Sequence, residues 1–352
     1  MKVAVYTIAK NEAQFVNRWA DSCRDADYRL ILDTGSTDGT QDLADDKNIV
    51  VYDCDINPWR FDDARNTALA LLPADIDYCV ALDMDEVLVS GWRDHLEKMY
   101  DEEVTRPRYK YTWSWKENGQ PDLQYGGDKI HTRHGYRWKH PVHETLVPTG
   151  IEKHGWCDLE IHHFPDHTKS RSQYADLLST AVVESPDDDR IAFYWARELF
   201  YMGSHEKAIQ QFERYLKLPT AAWGPERSAA YRFMAKCDPS RQMEFLRKAI
   251  MEESHRREAW VDLAQHCHDI GDWFGCYNAA VAALQIQEKP LEYLCEAFAW
   301  GALPYDLAAI ACHHLGAHRE AARYGAEALA LDPENDRLKN NLTFYSDAIA
   351  NI

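Results

Sequence analysis

Apolar and polar positions along the first hundred residues follow two alternating periods. "KVAVYTIA" at 2–9, "YRLILD" at 28–33 and "IVVYDCD" at 49–55 are short apolar runs bounded by polar turns, which predicts buried strands. "YCVALDMDEVL" at 78–88 reads as a fourth strand running into acids. Between them, Phe15, Val16, Trp19, Ala20 and Cys23 recur at helical spacing, a second helix opens at Asp38, and "FDDARNTALALL" at 61–72 makes a third. Strand and helix in strict alternation predict an α/β domain, a mostly parallel sheet with helices on both faces. Ligands of such sheets sit at the carboxyl ends of strands. The positions there are Ala9–Asn11, Asp33–Asp38 and Asp83–Asp85, with Asp53 and Asp55 beside them.

The pattern shortens over 104–167. Trp, Tyr and His crowd into "YKYTWSWKENG", "HTRHGYRWKHPVHETL" and "EIHHFPDH", which predicts β-ribbon and loop. Amphipathic aromatics suit a sugar-facing surface, and a packed β-rich subdomain accounts for them equally. From about residue 170 the pattern is helical to the end. "AFYWARELFYMGSHEKAIQQFERYLKLP" at 192–219, "AWVDLAQHCHDIGDWFGCYNAAVAALQI" at 259–286 and "DLAAIACHHLGAHREAARYGAEALALDP" at 306–333 align with one another. Gly203 and Gly271 stand 68 residues apart, twice 34, so a degenerate unit belongs between them with Cys237–Asp238 near its missing glycine. Gly271 to Gly316 is 45, one period plus 11. This resembles tetratricopeptide repeats, whose period is 34. The expected division is 1–170 for the α/β domain and 171–352 for an all-α solenoid.

Composition narrows the function. With 45% hydrophobic and 28% charged residues the chain is globular. A net charge of −19 argues against a general nucleic-acid binder, which needs a basic face. The charge is uneven. Residues 1–103 hold 10 Lys/Arg and 23 Asp/Glu, whereas residues 104–140 hold 8 and 3, a local +5 that suits a phosphate or an anionic acceptor. Nine scattered cysteines without a C-x-x-C pair predict a reduced chain. No apolar run reaches the length of a membrane span, so a cytoplasmic location is expected.

The run "LILDTGSTDGT" at 30–40 ends a strand in an acid and spills into small, turn-prone residues. Asp33 can accept a hydrogen bond from a pyrimidine N3–H. Thr34, Gly35, Ser36 and Asp38 offer hydroxyls and backbone amides. Thr7, Ala9, Asn11 and Glu12 flank the same pocket, although Glu12 serves equally as a first-turn acid of the helix. Asp83 and Asp85, on either side of Met84, can hold Mg²⁺ or Mn²⁺ through oxygen. Alone, such a pair is as readily a solvated turn.

Four motifs in register change that balance: "TIAKNE" (7–12), "DTGSTDGT" (33–40), "FDDARN" (61–66) and "LDMDE" (82–86). Together they resemble the family 2 glycosyltransferases of GT-A fold, closely over residues 1–100 and loosely over 101–170. The resemblance implies a UDP-sugar donor with Asp33 reading the uracil. It places Arg65, Asp83 and Met84 among the nucleotide contacts. It also implies an Mn²⁺ or Mg²⁺ ion on Asp83 and Asp85 that stabilises the departing diphosphate. Arg65 has a structural alternative, an ion pair with Asp62 or Asp33.

An inverting transferase needs a carboxylate to take the acceptor's proton. The acidic dipeptide that many family members carry after the D-x-D has no clear copy here. "HPVHETL" at 140–146 resembles the late His-Glu of members fused to tetratricopeptide repeats, which assigns Glu144, beside His143, as base. Asp128 in "GGDK" is the second candidate, and Glu144 has the alternative of an ion pair with Arg137 or Lys139. Some GT-A enzymes complete the metal shell with a late histidine, which selects His162 or His163. His131, His134, His140, His154 and His167 fit no closed zinc spacing.

The expected activity is therefore metal-dependent transfer of a hexose, with inversion, from a UDP-sugar to an acceptor hydroxyl. The alternative is an inactive repeat adaptor that keeps a nucleotide-sugar-binding domain. A nucleotidyltransferase would open on a glycine-rich basic loop, which "TIAKNEAQF" lacks. The repeats point to a protein or peptide acceptor and to homo-oligomers. The basic segment points to a glycan or hydroxymethylated DNA.

Overall fold

The computed structural model describes residues 1–166 and 174–350, so His167 lies outside the described residues. The chain divides into two compact units, Met1–Glu184 and Ser185–Ile352.

In the first unit β1 (Val3–Ala9), α1 (Ala13–Ser22), β2 (Tyr28–Asp33), α2 (Thr40–Asp45), β3 (Val50–Asp53), α3 (Phe61–Ala70) and β4 (Tyr78–Ala81) alternate as the pattern predicts. The strands lie parallel in the order β3-β2-β1-β4. Ala9, Asp33 and Asp53 stand in register at the carboxyl edge. The twofold alternation of strand side chains makes two cores. Val3, Val5 and Ile31 pack with Val16 and Trp19 of α1. Ala4, Tyr6, Leu30 and Leu32 pack with Ala64, Ala68 and Leu69 of α3. Burying a side chain such as Ile31 completely is worth about 2 kcal/mol.

Residues 78–88 are two strands in different sheets, not one. β4 stops at Ala81, and β5 (Glu86–Leu88) pairs with β11 (His154–His163) instead. The turn between them closes on itself. Glu86 N–H donates to the Asp83 carbonyl at 2.9 Å, and the Glu86 carboxylate accepts from Asp83 N–H at 2.9 Å. Apolar residues continue on both sides of the acids, so periodicity alone hides the break.

After α4 (Trp92–Asp101) the aromatic-rich region is strand and turn. β6 (Arg106–Thr112), β7 (Gln124–Gly127) and β11 join β5 in a sheet of order β5-β11-β6-β7. β8 (Ile130–Thr132) extends the first sheet antiparallel to β4, and β9 (Tyr136–Lys139) pairs with β10 (Thr145–Pro148). At least four of the eight basic side chains at 104–140 are spent on partners within the first unit. Arg106 pairs with Asp128 and Glu152, Lys110 with Glu160, and Lys129 with Asp83 and Glu86. Arg133 donates to the carbonyls of Leu72 and Pro73.

Helix α5 (Tyr174–Glu184) belongs to the first unit. Its Tyr174 ring meets Phe61 and His143 edge-on at 6.1 and 5.8 Å, and Glu184 accepts from Arg60 Nη1 at 2.6 Å.

The second unit is all helix. α6 (Asp189–Tyr201) pairs with α7 (His205–Tyr215), α8 (Gly224–Cys237) with α9 (Gln242–Glu252), α10 (Arg257–Asp269) with α11 (Trp273–Gln285), and α12 (Leu303–His314) with α13 (His318–Leu331); α14 (Asp336–Ala350) follows. Gly203, Gly271 and Gly316 make their turns at φ of 73°, 75° and 79°, where a Cβ is strained. The degenerate pair turns through Pro239–Arg241, with Asp238 capping it. The 11 extra residues fall within the segment 287–301, which lies against the first helices of the pairs. Tyr293 donates to Glu226, Glu296 accepts from Arg232 at 2.5 Å, and Trp300 donates to Glu258 at 3.0 Å. Among the described residues no helix is long and apolar enough to cross a membrane.

Candidate active site

Two loops at the carboxyl edge are laced to each other. Asp33 is fully buried, and its Oδ1 accepts from Gly35 N–H at 2.9 Å and Ser36 N–H at 2.7 Å. Thr34 N–H donates to the Ala9 carbonyl at 2.8 Å, and Asn11 N–H donates to Ser36 Oγ at 2.8 Å. Asn11 Oδ1 accepts from Thr37 N–H, and Asp38 Oδ2 accepts from Ala13 N–H, which caps α1. Glu12 N–H donates to Thr40 Oγ1. Asn11 and Gly35 hold φ of 56° and 101° to permit the crossing. The sequence offered these groups to a ligand; most of them instead bind one another and fix the shape of the edge. Thr7 is fully buried with its hydroxyl on the Ile8 carbonyl, and Met84 sits in the core.

The acid turn carries the charge. Asp83 Oδ1 accepts from Arg65 Nη2 at 2.8 Å and its Oδ2 from Lys129 Nζ at 2.8 Å. Burial pushes the Asp83 carboxyl up, but Arg65 and Lys129 outweigh it and hold the group below the ordinary range. Arg65 also donates through Nε to Glu144 Oε1 at 2.5 Å. Thus neither Asp62 nor Asp33 is Arg65's partner, and the partner found for Glu144 is Arg65, not Arg137 or Lys139. Asp62 pairs with Arg60. α3 is set for this reach by Asn66, which exchanges two hydrogen bonds with the Trp138 backbone at 2.9 Å. The Arg65 guanidinium lies over the Trp138 ring at 5.0 Å. His140 and His143 hold φ of 82° and 51°, so the turn that presents Glu144 is strained backbone, as functional sites often are.

Asp85 meets His163. Oδ2 stands 3.2 Å from His163 Nε2, and the Asp85 carbonyl accepts from Phe164 N–H at 2.8 Å. His163 Nδ1 faces the Trp113 carbonyl at 3.0 Å, and a carbonyl only accepts, so Nδ1 carries a proton. Nε2 therefore turns a lone pair, or a second proton, toward a carboxylate. An imidazolium satisfies that contact, and so would a cation held between the two groups. Two neighbouring ligands of one octahedral ion stand about 3 Å apart for metal–oxygen bonds of about 2.1 Å. Asp85 and His163 fit a divalent ion on this ground. Their neighbour on the strand, His162, points to the other face of β11, where it pairs with Glu160 at 2.9 Å and meets Trp115 edge-on. Asp128 is held by Arg106 at 3.0 Å. Among the described residues no group of three or more His, Cys, Asp or Glu side chains is gathered for a metal.

Residues 4–150 match the family model described as glycosyl transferase family 2. The N-terminal unit carries a family 2 glycosyltransferase domain. No curated protein matches the chain. Solved structures similar to it include a Pseudomonas aeruginosa PilF, at 13% identity and a TM-score of 0.38 over 49% of this chain and 72% of that one. A thermophilic TPR protein of Thermus thermophilus matches at 16% identity and a TM-score of 0.33, over 51% of this chain and 90% of that one. The repeat character of the second unit rests on its own glycine-turned helix pairs.

Two groups of the transferase domain's edge were missed in the sequence. Glu86 is 1% exposed and gathers Tyr111 Oη at 2.6 Å, Lys129 Nζ at 2.6 Å and the Asp83 amide. It stood in plain view as the third acid of "LDMDE". Lys129 follows Asp128 in "GGDK", and nothing near it in the chain signals a partner 46 residues away.

Proposed function

We propose that the glycosyltransferase domain moves a hexose, with inversion, from a UDP-sugar to an acceptor hydroxyl, using a divalent ion on Asp85 and His163. The observation that carries this reading is one continuous chain of contacts at the carboxyl edge. It runs from Glu144 through Arg65 to Asp83, in the turn that also presents Asp85 to His163. A bound Mn²⁺ or Mg²⁺ supplies Lewis-acid stabilisation of the leaving diphosphate.

The chain's own residues do the rest. Glu144 takes the proton of the acceptor hydroxyl as the new oxygen–carbon bond forms and the anomeric carbon–phosphate oxygen bond breaks. Arg65 offsets charge on the diphosphate. Its Nη1 is buried and lacks a hydrogen-bond partner, so a phosphate oxygen would satisfy it. Asp33 likewise keeps one oxygen, Oδ2, without a donor. A pyrimidine N–H would satisfy that oxygen. Candidate acceptors are peptides, glycans and hydroxymethylated DNA.

The test is hydrolysis of a panel of UDP-sugars by the purified chain, with Mn²⁺ and with EDTA. Metal-stimulated release of UDP supports the transferase. Its absence across the panel favours an inactive adaptor.

A further inference from the structure

The two acids of the turn are not equivalent. Asp83 spends both oxygens on cations, whereas Asp85 meets the ring of His163. The cation on Asp83 Oδ2 arrives from far along the chain. Lys129 stands just before β8, whose pairing of Ile130 with Val80 fixes it beside the end of β4. Glu86 holds the ammonium from behind at 2.6 Å. An ammonium has three N–H donors, and these two contacts use two of them.

We propose that Lys129 is a positioning residue of the donor site, which pins Asp83 opposite Arg65, keeps that carboxylate off the metal and turns a second positive charge toward the diphosphate. This rests on the metal-dependent UDP-sugar reading. One fixed charge then has two opposite effects. It repels a divalent ion from Asp83 Oδ2, so the ion is left to Asp85 and His163. It attracts a dianionic diphosphate to the same edge. A lysine that only braced the fold would not separate the two.

The experiment is Lys129→Met in the full chain with two readouts. Mn²⁺ binding without nucleotide is followed by the paramagnetic resonance of free Mn²⁺, and UDP binding at saturating Mn²⁺ by calorimetry. The variant should bind Mn²⁺ about tenfold more tightly and UDP about tenfold more weakly, the scale of removing one nearby charge. Lys129→Arg should move both values back toward wild type. Parallel losses in a folded variant, or no change in either, overturn the proposal. Losing the ammonium also leaves Glu86 buried with one partner fewer. If Lys129→Met does not fold, Lys129→Met with Glu86→Gln removes both charges and is read by the same titrations. A wild type that binds UDP equally in EDTA and in Mn²⁺ overturns the metal reading and this inference with it. A wild type with Mn²⁺-dependent UDP binding, and a variant that loses both, overturns this inference alone.

Discussion

Arg65 Nε donates to Glu144 Oε1 at 2.5 Å, and only 13% of the Glu144 side chain is exposed. The same guanidinium holds Asp83, so the candidate base and the acid turn are tied through one buried side chain. Glu144→Gln keeps the shape and removes the base. Transfer to an acceptor should fall by roughly 10²–10⁴-fold, the range for general-base loss, while UDP affinity stays within about twofold. Undiminished transfer in that variant would remove Glu144 from the chemistry. Arg65→Lys keeps the charge but not the two-sided fork, and should weaken UDP binding as well as transfer.

On the proposed metal-dependent reading, Asp85 is the acid that holds the ion. Asp85→Asn should abolish Mn²⁺-stimulated hydrolysis of a UDP-sugar with little change in melting temperature, because its side chain is partly exposed. His163→Ala should weaken the Mn²⁺ response about tenfold, the low end for loss of a group in or around a metal shell. Full Mn²⁺ stimulation in both variants would exclude this pair as the ligands.

The edge loops test the reading of Asp33. Its carboxylate accepts two backbone N–H groups and shapes the loop 33–38. Asp33→Ala strands both donors, at a cost of about 1–3 kcal/mol each where they are shielded from water. Melting temperature and UDP affinity should both drop. Calorimetry showing unchanged UDP affinity would place the nucleotide elsewhere.

The legible parts of the chain were those written locally. "YRLILD" announces β2 because apolar residues lead into an acid and then into turn formers, and Tyr28–Asp33 is the observed strand. The 34-residue spacing announced the degenerate pair, and α8 and α9 stand where it put them. What stayed hidden depends on contacts between distant residues. Lys129 gains its meaning from Asp83 and Glu86, and Glu144 from Arg65. The roles of Thr34, Ser36 and Asn11 were also hidden, because hydroxyls and amides that suit a ligand suit a neighbouring loop equally well. Of His162 and His163, only strand alternation on β11 decides which one faces Asp85.

His131 makes the fold sensitive to acid. It is fully buried, with Nδ1 donating to the Thr132 carbonyl at 2.8 Å and Nε2 accepting from Tyr6 Oη at 3.1 Å. Tyr6 in turn accepts from Trp138 Nε1 at 2.8 Å, so the neutral ring satisfies every member of the chain. Burial lowers the His131 pKa from 6.5 to about 4. Above pH 6.5 the ring is neutral in both states and its contribution is whole. As pH falls, the unfolded chain takes up the proton first, so stability is lost between about pH 6.5 and 4, by up to about 3 kcal/mol. Denaturant unfolding of wild type and His131→Gln at pH 7 and 4.5 isolates this, since other groups titrate alike in both proteins. The stability difference between them should shrink by about 2–3 kcal/mol at the lower pH. An unchanged difference would show that the ring is not held neutral.

The last prediction concerns where the transferase domain ends. Helix α5 follows the last strand and belongs to the first unit, which runs to Glu184. Its Tyr174 packs against Phe61 at the start of α3 and against His143, next to Glu144. Its Glu184 pairs with Arg60, and Leu178 and Ala181 are buried. Aromatic contacts of this kind are worth about 0.5–1.5 kcal/mol each. A chain ending at residue 184 should keep Mn²⁺-dependent UDP binding within about threefold of the full chain, since binding groups and α5 are all present. A chain ending at residue 170 loses α5 and with it the support of the strained turn at His143. It should bind UDP with similar affinity if folded, because Asp83, Asp85 and Arg65 remain, but it should transfer far more slowly. A misplaced base forfeits much of the rate that positioning provides. Calorimetry and acceptor transfer on both fragments check this. Equal transfer by the two folded fragments would show that α5 does not support the base.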